Sequence, residues 1–301
     1  FAALREDGSV VGWGVNGYVS STADEVDASG GTPPVTEIVS AAYAFAALRE
    51  DGSVVAWGNG SLGGDSSSVA EKIDANDSPE VAEVSSTQFA FAALLDDGSV
   101  VTWGDENFGG DSSSVADELD GSNGTPAVTQ IFSTKSAFAA LREDGSVVTW
   151  GRDDSGGDSS SVADEINAAN GTPAVTQIFP TNSAFAALRE DGSVVTWAGS
   201  GGGYNPSFAD DVDAANGTPA VTQIFSASGA FAALREDGSV VTWGGSGGGY
   251  SASVAGEIDA KGSPAVTQIF STKSAFAALR EDGSVITWGD NSAGTDSSSV
   301  A

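Results

Sequence analysis

The chain has 301 residues, 40% of them hydrophobic, with 40 glycines, no cysteine, methionine or histidine, and a net charge of -31 from 11 Lys and Arg against 42 Asp and Glu. Without thiols there is no disulfide, no thiolate zinc site and no cysteine nucleophile. With so few cations there is nothing to displace counterions from phosphates, so nucleic acid and anionic membranes are excluded as partners.

Reading from Phe1, the dominant signal is a repeated sentence, Phe-Ala-Ala-Leu-Arg-Glu-Asp-Gly-Ser-Val-Val-Thr-Trp-Gly in its commonest form. Its tryptophans fall at Trp13, Trp57, Trp103, Trp150, Trp197, Trp243 and Trp288, spaced 44, 46, 47, 47, 46 and 45 residues apart. A period of this length marks a propeller or a solenoid. The chain opens in mid-repeat, with neither an initiating methionine nor a signal peptide, and is read as a segment of a longer protein. No run of 18 apolar residues is present.

The repeat around Trp150 shows the elements in order. Ala127 to Phe132, bounded by Thr125-Pro126 and by Ser133-Thr134-Lys135-Ser136, is a β-prone run and is predicted to be an innermost strand, A. Ala137 to Arg142 follows as strand B, and Ser146 to Trp150 as strand C. Between them Asp144-Gly145 is a hairpin signal, because glycine accepts the positive φ that closes such a turn. Bulk on both faces of strand B, separated by alanines, suits a sheet sandwiched between two neighbours. The glycine-rich loop after each tryptophan, such as Asp105 to Gly110, leads into a serine-rich stretch. There a short outer strand and about one helical turn are predicted, with Ser114 and Asp117 as a capping box and Val115/Leu119 at helical spacing. Radial stacking of three or four strands per unit protects sheet edges. The predicted fold is all-β: a single seven-bladed β-propeller domain spanning residues 1–301, with a short helical turn in each outer connection. Seven repeats of about 46 residues would need about 322, roughly 21 more than are present. The N-terminal blade is therefore expected to lack its strand A, a gap open to self-association by strand donation.

These residues carry a family likeness. Ala-Phe-Ala-Ala-Leu-Arg-Glu-Asp-Gly-Ser-Val-Val-Thr-Trp-Gly resembles the repeat of the regulator of chromosome condensation family, small-x-x-Ala-Leu-x-x-Asp-Gly-x-Val-x-x-Trp-Gly, in phase through all seven repeats. Trp103 to Leu119 are similar to the loop and acidic turn of compact bacterial members such as the β-lactamase inhibitory propeller. The resemblance implies a seven-bladed propeller with lean blades. It implies neither nucleotide exchange nor inhibition. The inserted wing and basic tails of the exchange factors do not appear, and the histidine that often opens their strand B is Ala137, Ala184, Ala230 or Ala275 here. The A–B loops read Ser-Thr-Lys-Ser or Thr-Asn-Ser, with only Tyr43 and Phe89 as aromatic exceptions.

An antiparallel meander places A–B loops and the loops after strand C at one end, and B–C turns at the other. The turn end carries two acids per repeat, from Glu6-Asp7 through Glu281-Asp282, with Arg5, Arg49, Arg142, Arg189, Arg235 and Arg280 beside them as expected ion-pair partners. No loop shows the spaced oxygens of a dedicated calcium site, so no metal and no cofactor is expected. The opposite end carries the candidate partner-binding residues: Tyr18, Phe108, Tyr204 and Tyr250 after strand C, and Tyr43 and Phe89 in A–B loops. Exposed aromatics on rigid blades are anchors for a protein or glycan partner. Catalysis is not expected, since the acids repeat sevenfold and none stands apart. The sequence thus reads as a non-catalytic interaction or scaffold module, expected to be bacterial and secreted or at the cell surface. The alternatives are a building block that self-assembles, or a recently amplified or engineered array with no evolved partner.

Overall fold

A computed structural model describes residues 1–14, 26–28, 31–76, 78–168, 171–198, 214, 217–245, 258–260 and 262–290. The first sheet pairs β1 (Ala2–Leu4) with β2 (Val10–Gly12). The second holds β3 (Val35–Ser40), β4 (Ala44–Arg49) and β5 (Val54–Gly58), and the third β6 (Val81–Ser86), β7 (Ala90–Leu95) and β8 (Val100–Gly104). The fourth holds β9 (Val128–Ser133), β10 (Ala137–Arg142) and β11 (Val147–Gly151), and the fifth β12 (Val175–Pro180), β13 (Ala184–Arg189) and β14 (Val194–Ala198). The sixth holds β15 (Val221–Ser226), β16 (Ala230–Arg235) and β17 (Val240–Gly244), and the seventh β18 (Val266–Ser271), β19 (Ala275–Arg280) and β20 (Val285–Gly289). One antiparallel meander per repeat makes the fold class that of an all-β, seven-bladed propeller. The chain divides into two compact units, residues 1–143 with 148–152 and residues 144–147 with 153–301.

Strand B explains how blades stack within a unit. In β7 the residues Phe91, Ala93 and Leu95 pack against Ala44, Ala46 and Leu48 of the preceding blade. Ala90, Ala92 and Leu94 turn the other way and meet Phe138 and Ala140 of the next. The two-residue period of a strand sends each phenylalanine into the alanine face of its neighbour, so bulk fills small and no void opens. The second unit repeats the pattern, with Ala184, Ala186 and Leu188 against Phe231 and Ala233.

The hairpin turn also fastens the blades. The Gly98 carbonyl accepts the amide of Val128, the first residue of the next strand A, at 3.0 Å. Gly98 has φ +80°, and a Cβ there would stand 2.4 Å from the Cβ of Ala127. Only glycine satisfies both the turn and that approach.

The outer connection differs from expectation. The serines form no strand among the described residues. Ser67–Val69, Ser113–Glu118 and Ser160–Val162 are 3-10 turns, and the first and third run directly into α1 (Ala70–Ile73) and α2 (Ala163–Ile166). The aspartate two residues ahead is the cause. Asp65, Asp111 and Asp158 accept the amides of Ser67, Ser113 and Ser160 at 2.8 to 2.9 Å, closing a turn that competes with sheet pairing. The capping box at Ser114 and Asp117 does not form; Ser112 occupies the cap position without a side-chain bond. The apolar anchor is as expected: Leu119 is buried, and its carbonyl accepts the amide of Val100 at 3.0 Å. Among the described residues six sheets have three strands, the first has two, and none has a fourth.

Candidate partner-binding site

The loops at one end of each blade are locked together by backbone bonds. Where it is described, the residue two past the tryptophan donates to the residue just before strand B: Asn59 to Tyr43 at 2.9 Å, Asp105 to Phe89 at 3.0 Å, Arg152 to Ser136 at 2.9 Å. Neighbouring A–B loops are chained as well. Ala42 donates to Gln88 and Gln88 to Lys135, each at 2.9 Å, and in the second unit Asn182 donates to Ser228 and Ser228 to Lys273. Loops tied at this many points are pre-organised to carry side chains at fixed positions.

On this platform three of the six predicted residues come together. Tyr43 stacks on Phe89 with ring centroids 5.9 Å apart and planes 19° from parallel, and Phe89 meets Phe108 edge-on at 4.5 Å. Tyr43 is 61% exposed, while Phe89 and Phe108 are half-buried. Both arrangements are the ones that the ring quadrupole favours. Exposed Gln88, Glu106, Asn107 and Lys135 lie in the same loops or the adjoining one and give the row a polar border. Tyr18, Tyr204 and Tyr250 lie outside the described residues.

Residues that the sequence reading overlooked hold the row in place. Thr87 is buried; its Oγ1 accepts the amide of Ala90 at 3.1 Å and donates to the carbonyl of Phe108 at 2.9 Å, coupling both aromatic loops of one blade. Gly109 has φ +93°, and a Cβ there would stand 2.6 Å from the ring of Phe138. Its carbonyl accepts the Trp150 indole N–H at 3.1 Å, and Gly63 and Gly156 do the same for Trp103 and Trp197. Each such glycine caps the stacked phenylalanine and tryptophan of the next blade, for example Phe138 on Trp150 at 5.2 Å. The glycine six residues after the tryptophan was a legible signal that periodicity alone did not interpret.

At the hairpin-turn end the arginine charge helps to hold the turn acid low, as expected, and a serine hydroxyl joins the two. Arg5, Arg49, Arg189, Arg235 and Arg280 reach a serine hydroxyl, for example Arg49 to Ser53 at 3.2 Å and Arg189 to Ser193 at 2.7 Å. The serine in turn donates to the turn aspartate, Ser53 to Asp51 and Ser239 to Asp237 each at 2.6 Å. For Asp7 and Asp282 the serine hydroxyl is the main cause of a carboxyl held below the usual range, helped by the serine amide. Burial pushes Asp191 and Asp237 up, but the serine bonds and the nearby Arg outweigh it and hold both low. Among the described residues no three acidic side chains converge in a way that could hold a metal ion.

No protein-family model matches the sequence, and no curated protein matches it either. Solved structures resemble it in fold. The CRINKLY WD40 ectodomain of the Arabidopsis thaliana receptor kinase ACR4 aligns at 14% identity over 96% of this chain and 90% of its own, with a TM-score of 0.45. Human WBSCR16 aligns at 17% identity over 85% of this chain and 77% of its own, with a TM-score of 0.47. Prp20p of Saccharomyces cerevisiae, the yeast RCC1, aligns at 17% identity over 85% and 72%, with a TM-score of 0.43. Likenesses this distant say nothing of activity or partner.

Proposed function

We propose that the protein is a non-catalytic interaction module that docks a protein or glycan partner on the row Tyr43, Phe89 and Phe108. The observation that carries this reading is where the repeats stop being alike. The A–B loops of the later blades have Ser136, Ser183, Gly229 and Ser274 where Tyr43 and Phe89 stand, and the loop after β11 has Ser155 at the place of Phe108. Packing of the blades asks for nothing aromatic there. A half-exposed row of rings on rigid loops, bordered by polar side chains, has the make-up of a binding hot spot. By loop class in the sequence, Tyr18, Tyr204 and Tyr250 are further candidate contacts of the partner. The expected setting, a lean-bladed bacterial protein that is secreted or displayed at the cell surface, is part of the same proposal.

The immobilised protein and its Tyr43→Ala variant are to be offered a glycan panel and an extract of extracellular proteins side by side. Retention of one partner by the wild type, reduced at least tenfold in the variant, supports the reading. Equal retention by both contradicts it.

A further inference from the structure

The third repeat breaks the pattern of the hairpin turn. In six repeats the residue before the two turn acids is arginine, whereas in the third it is Leu95. Arg5, Arg49, Arg189, Arg235 and Arg280 each close a short relay, from guanidinium to serine hydroxyl and from that hydroxyl to the turn aspartate. Arg49 bonds Ser53 at 3.2 Å and Ser53 bonds Asp51 at 2.6 Å. Arg280 bonds Ser284 at 3.4 Å and Ser284 bonds Asp282 at 2.6 Å. The third repeat keeps the receiving half of the relay without its donor. Ser99 gives its amide to Asp97 at 2.9 Å and its hydroxyl to the same carboxylate. Among the described residues no cationic side chain bonds either of them.

Ser99 and Asp97 open into a cleft of about 640 Å³ between β8, the connection that follows it and the connection of the preceding blade. The same place in the second blade, around Ser53 and Asp51, measures about 300 Å³ and has Arg49 in its wall. The larger cleft is lined by five acids, Glu71, Asp97, Asp111, Asp117 and Asp120, against one cation. That cation, Lys72, is exposed. Its charge helps to hold Asp120 low, behind the larger effect of the bonds from Ser122. Val69, Leu95 and Leu119 add an apolar wall. The acceptors of a guanidinium relay, apolar surface for a methylene stem and a surplus of negative charge together fit an arginine side chain.

We propose that the cleft of the third blade is a subsite for an arginine side chain of a partner polypeptide, whose guanidinium takes the place that Arg49 and its equivalents fill in other blades. The guanidinium donates to Ser99 Oγ and pairs with Asp97, and the acidic lining raises the local concentration of cations. An arginine within a chain is favoured over the free amino acid, whose α-carboxylate would be repelled by the same lining. The cleft shares no residue with the row of Tyr43, Phe89 and Phe108, so the two sites stand or fall separately.

The test titrates the whole protein, labelled with nitrogen-15, with the capped peptide N-acetyl-Gly-Arg-Gly-amide and follows backbone amides by NMR. Saturable shifts are expected at Ser99, with the Ser53 amide unmoved. Affinity should fall at least tenfold in Asp97→Asn, and at least fivefold when the peptide arginine is replaced by lysine or when free L-arginine is the probe. Leu95→Arg supplies the guanidinium from within, as in the other repeats, and should abolish binding. Asp97 is exposed, so Asp97→Asn decides the matter even where Leu95→Arg fails to fold. No saturable shift at Ser99, equal affinity for the lysine peptide, free arginine bound as tightly as the peptide, or binding undiminished in Asp97→Asn or in folded Leu95→Arg would each overturn the proposal.

Discussion

The first and third blades contain the same residues in different surroundings. In the third, Phe91 stacks on Trp103 at 5.3 Å, and the two rings are 0% and 2% exposed beneath the Gly63 carbonyl of the preceding blade. In the first, Phe1 stacks on Trp13 at 5.8 Å, and the rings are 79% and 55% exposed. The pair forms in both because the hairpin brings it together. What buries it is the neighbouring blade. Intra-blade structure is thus local and encoded in one repeat, while most of the stabilisation resides at junctions that no single repeat contains.

The largest expected effect comes from deleting the ring in both settings. Trp103→Ala should cost about 3 to 5 kcal/mol, the range for a large aromatic lost from a packed interior. Trp13→Ala should cost under about 1 kcal/mol, since little area leaves contact. Denaturant unfolding of both variants decides it, and similar losses would mean that Trp13 is packed after all.

The hairpin glycines sharpen the comparison at the backbone. Gly98 and Gly283 have nearly the same φ, +80° and +84°, but a Cβ on Gly283 meets nothing within 4 Å. Gly283→Ala therefore isolates the conformational cost, about 1 kcal/mol, while Gly98→Ala adds displacement of the next blade, about 1 to 3 kcal/mol more. Thermal melts showing equal losses would remove the junction from the explanation.

Acid provides a third contrast. Asp7, Asp191, Asp237 and Asp282 titrate below their ordinary value of 3.8 in the folded protein. A carboxyl depressed by folding contributes stability above its unfolded pKa and loses that contribution as pH falls through the folded one. Melting temperature should therefore drop as pH falls below 3.8, and less steeply in Ser239→Ala, which removes the main bond to Asp237. An unchanged slope would show that this bond does not set the acid response. The smallest effect is expected at Tyr43: Tyr43→Ala should change stability by less than about 0.5 kcal/mol, because the ring is mostly in solvent.

How much of this was readable beforehand follows the same division. Strand B was predicted at Ala137 to Arg142 and lies at Ala137–Arg142, because alternation and the Asp-Gly turn are local signals. Strands A and C shift by one residue, to Val128–Ser133 and Val147–Gly151. The serines were misread as a strand because one aspartate side chain, Asp111 on the Ser113 amide, redirects the backbone. The arginines were assigned to acids by adjacency, and their charge does help to hold Asp7, Asp191, Asp237 and Asp282 low, but the serine hydroxyl that links the two was not foreseen. Loop class picked out Tyr43, Phe89 and Phe108, but the stacking of Tyr43 on Phe89 joins loops of neighbouring blades and depends on junction geometry that periodicity does not express.

The indole N–H groups report most directly on the claim that neighbours, not repeat sequence, bury the rings. With tryptophan labelled by nitrogen-15 and the resonances assigned by single Trp→Phe variants, hydrogen exchange at Trp103, Trp150 and Trp197 should be slow, since each donates to a glycine carbonyl of the preceding blade at 3.1 Å. Trp13, more than half exposed at 55%, should exchange at least a hundredfold faster. Protection of Trp13 equal to that of Trp103 would contradict the account.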